Sequence, residues 1–257
     1  MATWHDLEKE LNRWHAAGEQ ASLWWRDDDA GALDPQLEHL LALAARYHVP
    51  LHLAVVPLAA QPELVRRLAA SGENYVLQHG YAHVNHEPIG GGASEIGVSR
   101  SVPLQLADLK AGRERLRALE FANLLPVLAP PWNRIGAATV RHLPGLGFRL
   151  LSTSLPRAAV EPVSGLLQVN IHADPIRWRG GARFRGTAKT LACIVEHLQQ
   201  RRLGDADKAE PTGLSTHHLQ TMEEAWGFVE ELLDRLAAHP ASYWARLAQL
   251  MNHRQTA

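Results

Sequence analysis

The stretch WWRDDDAG, residues 24–31, joins an apolar run to three consecutive aspartates, Asp27, Asp28 and Asp29. The run at 22–27 has the length and the composition of a buried β-strand. Adjacent carboxylates repel one another, so the three aspartates form either a solvated turn or the place where a positive charge binds. The fold and the function of the chain both depend on which interpretation holds.

Six further apolar runs of this kind follow the first, and segments with helical periodicity separate most of them. The runs are 51–56, 75–79, 126–129, 148–153, 167–172 and 213–217. Strands that alternate with helices form parallel sheets, and about seven strands in a chain of 257 residues predict an α/β fold, a distorted TIM-like (β/α) barrel. We expect one barrel domain spanning 1–257.

Several helices are predicted from their ends and from their apolar spacing. Residues 2–17, within the N-terminal segment 1–20, should form a helix packed outside the barrel through four apolar side chains: Trp4, Leu7, Leu11 and Trp14. Asp34 followed by Pro35 is typical of a helix start. Thr221 and Glu224 have the spacing of a capping box, and Pro240 indicates the start of a last short helix. Two segments are predicted to be loops: 90–93 and 177–186.

Composition argues against several classes of protein, binding partner and metal site. Hydrophobic residues make up 46% and charged residues 21% of the chain, so global disorder is not expected. The net charge is −1 and no charged tail is present, so neither nucleic acid nor a membrane is a predicted partner. Cys193 is the only cysteine, which rules out an intrachain disulfide and a cysteine-based zinc cluster. The N-terminal segment lacks the apolar core of a signal peptide, so we expect a cytoplasmic protein, and the oligomeric state stays open.

A second motif lies at the end of the predicted third strand, where HGYAH spans 79–83. Catalytic groups of barrel enzymes collect at the carboxyl ends of the strands, where the aspartates also lie. If the chain turns into a helix after Gly80, the spacing of His79 and His83 puts both imidazoles on one face. Two imidazoles and one carboxylate form a three-ligand set for a catalytic metal. A divalent cation there would remove the repulsion between the aspartates, with zinc expected and manganese, cobalt, nickel or iron compatible with the same ligands.

These motifs together resemble the polysaccharide deacetylase family, of the carbohydrate esterase family 4 or chitooligosaccharide deacetylase type. The family has a paired aspartate after the first strand, HxxxH after the third, a Pro-Trp segment and a late Leu-x-His. Here the counterparts are DDD (27–29), HGYAH (79–83), APPWNR (129–134) and LSTHH (214–218). They occur in the family's order and span nearly the whole predicted barrel.

Carried over by position, the resemblance implies that Asp28 is the general base. It also implies that Asp29, His79 and His83 are the metal ligands and that His217 is the catalytic acid. The register is ambiguous because the chain has three aspartates where the family has two. A slip of one residue would make Asp27 the base and Asp28 the ligand. His218, next to His217, is an alternative acid.

The chain also departs from the family pattern. The family's arginine before the Pro-Trp segment, which holds the base, is absent, and Leu128 and Ala129 stand in its place. Arg134 or Arg100 could serve instead. Five residues are candidates for substrate binding or for support of the site: Asp27, Trp132, Arg134, Asp174 and His218. Trp132 either stacks on a sugar ring or only packs at the strand exit, and Asp174 either supports the site or packs in its loop.

The resemblance implies a metal-dependent hydrolase that removes an acyl group, most simply N-acetyl, from an amino sugar or a related amide. The partner would be a small molecule or a carbohydrate. Two alternatives remain open. One is a non-catalytic, sugar-binding barrel, which the missing arginine favours. The other is an iron oxygenase, because two histidines and a carboxylate also form its facial triad, although such sites normally lie in double-sheet jelly rolls.

Overall fold

Residues 1–70 and 73–252 are described by the computed structural model and contain ten strands and eight α-helices, joined by loops and short 3₁₀ turns. The strands are β1 (Ala21–Ala30), β2 (Leu51–Val55), β3 (Asn74–Gln78), β4 (Leu124–Leu128), β5 (Leu150–Leu151), β6 (Leu167–Gln168), β7 (Ile176–Arg177), β8 (Arg183–Phe184), β9 (Thr212–Thr216) and β10 (Ser242–Trp244). The helices are α1 (Trp4–Ala16), α2 (Pro35–Arg46), α3 (Pro62–Ala69), α4 (Val102–Ala118), α5 (Ala137–Val140), α6 (Thr187–Leu203), α7 (Glu223–Ala238) and α8 (Leu247–Asn252).

Seven parallel strands, β1 to β6 and β9, curl into the predicted distorted barrel, and this prediction is confirmed. Each of β1 to β5 pairs with the strand that follows it, and β9 pairs with β1. A parallel bridge between Ala173, which follows β6, and Leu214 of β9 links the two ends of the sheet. β10 pairs in parallel with the first residues of β1, Ala21 to Leu23. All seven strands predicted from sequence lie where the apolar runs placed them.

Strand β1 is almost entirely buried, because one of its faces points into the barrel and the other points towards the helices. Trp24 packs inside with apolar residues of the neighbouring strands, among them Ala54 and Leu77. Leu23 and Trp25 belong to the larger cluster between the sheet and its surrounding helices. Because side chains alternate along a strand, Arg26 and Asp28 share the face of Trp24, and this alternation sets the geometry of the site.

Helix α1 lies against the outside of the barrel, next to α6. Thr3 caps it in a reciprocal capping box with Asp6. The predicted apolar face is buried at Leu7, Leu11 and Trp14, and the ring of Trp4 stacks on Phe228 of α7. None of the described helices is long and apolar enough to cross a membrane.

Three local predictions were wrong. Thr221 does not cap α7, which begins at Glu223, because its hydroxyl donates to the carbonyl of His217 instead. Pro240 does not start a helix; the chain after it pairs with β1 as β10. The predicted loop at 177–186 contains most of an antiparallel hairpin, β7 and β8. Only after Pro240 does a contact with a distant part of the chain, β1, override the local signal; the other two cases involve nearby residues.

Candidate active site

Asp27 points away from the other two aspartates of β1. Asp28 lies on the inner face of the strand, whereas Asp27, on the opposite face, contacts the segment after β9. The pairing of β1 with β2 shifts register between Asp27 and Ala30, and Asp29 has a φ of 70°. A bulge of this kind re-aims a side chain. It brings Asp29 to the same side as Asp28, towards the mouth of the barrel.

Asp29 meets the two histidines of HGYAH at this mouth. Its Oδ1 lies 3.2 Å from Nε2 of His79 and 3.1 Å from Nε2 of His83. Two ligand atoms about 2.1 Å from one ion, at near-tetrahedral angles, lie about 3.2–3.4 Å apart. These three side chains could therefore hold one divalent ion.

The protonation state of His79 tests whether an ion fits there. Its Nδ1 lies 2.8 Å from the carbonyl of Ala129, so Nδ1 carries the proton and donates it. In the neutral imidazole Nε2 then has a lone pair, and this lone pair faces the carboxylate of Asp29. Two hydrogen-bond acceptors at 3.2 Å repel each other unless a proton or a metal lies between them. The lone pairs of these nitrogen and oxygen atoms therefore suit a cation. Burial raises the pKa of Asp29, but when the imidazoles are protonated, their hydrogen bonds and charges together outweigh burial and hold that pKa well below its usual value.

The loop that carries HGYAH is irregular rather than helical. Gly80 and His83 both have positive φ values, 56° and 57°. The buried carboxylate of Glu95 accepts hydrogen bonds from the amides of Tyr81 and Ala82, at 3.0 and 2.7 Å. A Cβ on Gly80 would lie 1.9 Å from Oε2 of Glu95, so only glycine fits there. The two imidazoles therefore converge because Glu95 folds the loop, and not because of helical spacing.

Asp28 is fully buried and forms a two-pronged ion pair with Arg26, from the same strand. Nε of Arg26 lies 2.7 Å from Oδ1 and its second amino group donates to Oδ2 at 2.8 Å. Burial raises the pKa of Asp28, but the charge of Arg26, together with the charges of His79 and His217 and the hydrogen bond from Arg26, outweighs burial and lowers the net pKa. Nε2 of His217 lies 3.7 Å from Oδ2 of Asp28. A carboxylate whose ionised form is favoured and an imidazole thus stand side by side.

Arg26 is itself held in place by two further segments. It donates to the carbonyl and the hydroxyl of Ser152, at 3.2 and 2.8 Å, and to Oδ1 of Asn133 at 2.6 Å. The two arginines proposed for this role are engaged elsewhere. Arg134 donates to the carbonyl of Ala93, and Arg100 pairs with Asp108. The arginine that contacts Asp28 therefore lies on β1 and not before the Pro-Trp segment.

Asp27 and His218 form a separate buried pair behind the site. Nδ1 of His218 contacts one oxygen of Asp27, while the other accepts from the hydroxyl of Thr216 at 2.6 Å and from the amide of His218 at 3.0 Å. Nε2 of His218 lies 3.5 Å from Asp34. Burial lowers the pKa of His218, but the charge and hydrogen bond of Asp27, together with the charges of Asp34 and Asp29, outweigh burial and raise the net pKa. Both residues are occupied by each other and by Thr216.

Two tryptophans flank the cavity above the aspartates, which has a volume of about 470 Å³. The ring of Trp132 lies 4.2 Å from that of His83, and Trp178 meets the ring of His217 edge-on at 4.6 Å. Asp174 does not contact His217. It accepts instead from the indole of Trp178 at 2.8 Å and from the amide of Ile176, and burial raises its pKa. A cavity of this size is typical of a site for a small molecule.

A second group of metal-ligand residues lies nearby but does not suit an ion. The rings of His172 and His197 stack with centroids 3.4 Å apart, beside the buried carboxylate of Glu210. Nδ1 of His172 accepts the amide proton of Gly213, so in the neutral ring Nε2 carries the proton. A protonated nitrogen cannot bind a metal. Two stacked rings also direct their nitrogens side by side rather than towards one point.

Sequence reasoning missed three residues that shape the site: Arg26, Glu95 and Asn133. Only Arg26 left a readable signal, since it stands two positions before Asp28 in a strand and two positions share one face. Glu95 and Asn133 act from loops, whose geometry the sequence pattern does not specify.

Comparisons with known proteins identify the fold. No protein-family model matches the sequence, and no curated protein sequence matches it. Solved structures do match. A protein from Mycobacterium smegmatis assigned as a polysaccharide deacetylase is 15% identical, with a TM-score of 0.67, over 93% of this chain and 91% of its own. One from Pseudomonas aeruginosa PAO1 with the same assignment is 15% identical, with a TM-score of 0.64, over 94% and 93%.

A third match is a mutant of a CE4-family pseudoenzyme with restored enzymatic activity. It is 10% identical, with a TM-score of 0.59, over 91% of this chain and 68% of its own. The chain therefore has the polysaccharide deacetylase fold along most of its length. Because a pseudoenzyme shares this fold, activity must be argued from the side chains of the site.

Proposed function

We propose that the chain is a divergent member of the polysaccharide deacetylase family and a metal-dependent deacetylase. The reaction is hydrolysis of an N-acetyl amide: the C–N bond breaks, water supplies the new C–O bond, and an amine and acetate are released. The observation that carries the proposal is the arrangement of two neighbouring carboxylates, one among two imidazoles and the other paired with a buried arginine.

Asp29, His79 and His83 would hold the metal, and the fixed tautomer of His79 supports this role. A bound divalent ion supplies Lewis-acid chemistry, lowering the pKa of water and stabilising negative charge on the amide oxygen. Zinc is our first choice, and manganese, cobalt, nickel and iron suit the same ligands.

Asp28 is the proposed general base. Arg26 keeps its carboxylate ionised despite complete burial, so it is ready to take a proton from the attacking water. Both oxygens of Asp27 are bound to His218 and Thr216, which favours the register with Asp28 as base and Asp29 as ligand.

His217 is the proposed acid that protonates the departing nitrogen, since an unprotonated amide nitrogen is a very poor leaving group. It borders the cavity beside Trp178. His218 is disfavoured for this role because its two ring nitrogens face Asp27 and Asp34.

We propose an amino sugar, or a small amide of similar size, as the substrate. Trp132 and Trp178 are partly exposed at the cavity, 37% and 45% respectively, and offer aromatic faces of the kind on which sugar rings pack. In this arrangement Asp174 positions Trp178 rather than contacting the substrate.

The two alternatives lose their main support. The parallel barrel is not the jelly roll in which facial-triad oxygenases normally lie. The non-catalytic alternative depended on a missing arginine, and Arg26 occupies the position that this arginine would take beside the base.

Substitution of each aspartate by asparagine tests the proposal. We expect Asp29→Asn to lose the metal, and Asp28→Asn to keep it while acetate release falls by roughly two orders of magnitude or more. Asp27→Asn should keep the metal but lower the free energy of unfolding, because buried His218 loses its partner. Elemental analysis, denaturant unfolding and acetate release from N-acetylglucosamine oligomers and smaller N-acetylated compounds would measure these effects.

Two results would contradict the assignment. One is full retention of metal in both His79→Ala and His83→Ala. The other is an Asp28→Asn variant as active as the wild type. If Asp27→Asn alone abolished turnover, the register would be shifted by one residue and Asp28 would be the ligand.

A further inference from the structure

A second cavity, of about 510 Å³, lies away from the aspartates, between the second half of α4 and the segments that precede β4 and β5. Three arginines line it: Arg113 and Arg117 from α4, and Arg149 next to β5. Apolar residues form much of the remaining wall, including Phe121 and Phe148.

None of these three arginines pairs with a carboxylate within the described part of the chain. Arg149 donates only to the carbonyl of Met251, at 3.1 Å. Arg113 lies over the ring of Phe148, 4.9 Å from its centroid, and its buried Nε has no acceptor. Burial lowers the pKa of Arg113, and the like charge of Arg117 lowers it further. Leaving a charged donor buried without an acceptor is unfavourable, so the site lacks a negative group.

Basic residues near the end of a helix are common, because they interact favourably with its dipole. That explanation covers Arg117, in the last turn of α4. It does not explain why Arg113 buries an unpaired N–H towards a cavity, nor why Arg149, from another element, faces the same space.

Gln78, which also lines the cavity, supplies an unused acceptor. Its amide nitrogen donates to the carbonyls of Gly80 and Leu109, at 2.9 and 3.0 Å, which fixes the orientation of the amide. Its Oε1 is buried and has no donor. A Cβ on Gly112 would lie 2.6 Å from the amide nitrogen of Gln78. The side chain of Gln78 therefore reaches the backbone of α4 because residue 112 has no side chain.

We propose that this cavity binds a small oxyanion, namely phosphate or the phosphate group of a small phosphorylated sugar. The guanidinium groups of Arg113, Arg117 and Arg149 pair with the anionic oxygens, and Gln78 completes the polar wall of the site. Arginine is well suited to this role because its planar fork matches phosphate oxygens.

Calorimetric titration of the full chain tests the proposal, with inorganic phosphate, glucose 6-phosphate and glucose as probes at constant ionic strength. We expect both phosphates to bind and glucose not to bind. Arg113→Gln and Arg149→Gln should each weaken phosphate binding by about tenfold or more, because each removes a charge-assisted contact. Arg141→Gln is the matched control: it removes the same charge from an exposed arginine outside this cavity and should leave the affinity unchanged.

Tighter binding of glucose 6-phosphate than of phosphate would identify a phosphorylated sugar as the ligand, and equal binding would identify free phosphate. Absence of phosphate binding to the wild type would overturn the proposal. Binding that survives both Arg113→Gln and Arg149→Gln in folded variants would also overturn it, since the anion would then occupy another site, such as a metal between the histidines. This result is independent of whether the chain releases acetate.

Discussion

Arg26 is the residue on which the proposed chemistry most depends. It is fully buried, and its charge is balanced by Asp28, two positions away on the same face of β1. An arginine on a neighbouring loop could move away from the base, whereas one on the same strand keeps a fixed spacing from it. Ser152 and Asn133 use the remaining donors, so the guanidinium has little freedom to rotate.

We predict that Arg26→Lys keeps the metal but lowers kcat by about tenfold or more, because one ammonium cannot hold both oxygens of Asp28 and Asn133 together. The acidic limb of the rate profile should move to higher pH. Arg26 lowers the pKa of Asp28, so a weaker contact lets that pKa rise, and the base is then protonated at a higher pH. Rates of acetate release measured against pH, with metal content, test both effects.

Arg100→Lys is the matched control, since Arg100 pairs with Asp108 outside the site. It should leave kcat and the pH profile unchanged. An Arg26→Lys enzyme whose acidic limb does not move would show that Arg26 supports only the fold.

At this scale the sequence predicted the candidate site residues themselves, but not the residues that contact and position them. Asp28, Asp29, His79, His83 and His217 lie together at one end of the barrel, as their positions at strand ends implied. The role of Arg26 was missed because the family pattern directs attention to the loop before Trp132. The separation of Asp27 from the other aspartates depends on a bulge, which three identical side chains in a row cannot reveal.

At the scale of elements, the loop after β3 determines whether the two proposed histidine ligands, His79 and His83, converge. Glu95 accepts two amide hydrogen bonds from this loop and is buried. His83, at its end, has a left-handed backbone that is costly for a non-glycine residue. The hydrogen bonds that Glu95 accepts from the two residues just before His83 therefore stabilise a conformation that the loop would not adopt alone.

We predict that Glu95→Gln lowers metal affinity by about 10- to 100-fold, the range seen when outer supports of a metal site are altered. A glutamine has one acceptor oxygen where Glu95 has two. Its NH₂ group would face the backbone N–H of Tyr81 or Ala82, so one of the two hydrogen bonds would be lost. Competition with a chelator would measure the affinity. Glu63→Gln, an exposed change on α3, should have no effect. Unchanged affinity in Glu95→Gln would mean that the loop holds its shape without this carboxylate.

The strands were predictable as elements, whereas the loops that join them were not. Apolar runs such as 51–56 specify buried strands through composition alone. The HxxxH spacing predicted helical geometry, but the chain satisfies it with positive φ values at Gly80 and His83 and with a carboxylate 12 residues beyond His83, Glu95. Such loops are specified by tertiary contacts, and local sequence carries little of that information.

At the scale of the whole molecule, the barrel buries titratable groups that must stay neutral. His52 lies inside it, with no exposure, between the rings of Trp24 and Tyr75. Its Nδ1 donates to the carbonyl of Trp25 and its Nε2 accepts from the amide of Leu247. Both nitrogens are satisfied only in the neutral ring, because protonation of Nε2 would turn an acceptor into a second donor.

This burial predicts that the protein loses stability in mild acid. Burial lowers the pKa of His52 from 6.5 to about 4. Below pH 6.5 the unfolded chain binds a proton that the folded chain rejects, so the free energy of unfolding falls as pH drops towards 4, by about 3 kcal/mol from this group. His197, whose pKa burial lowers to about 2, acts in the same direction.

Urea unfolding between pH 4.5 and pH 7.5 would measure the effect, with His52→Gln as the test variant. The variant should be less stable at pH 7, but below pH 6 its free energy of unfolding should fall less steeply with decreasing pH. The two slopes should differ by about 1.4 kcal/mol per pH unit, because the variant takes up one fewer proton on unfolding. His5→Gln, at an exposed position of α1, should retain the wild-type slope. Parallel curves for wild type and His52→Gln would show that acid lability arises from other buried groups, and His197→Gln would then be the next variant to measure.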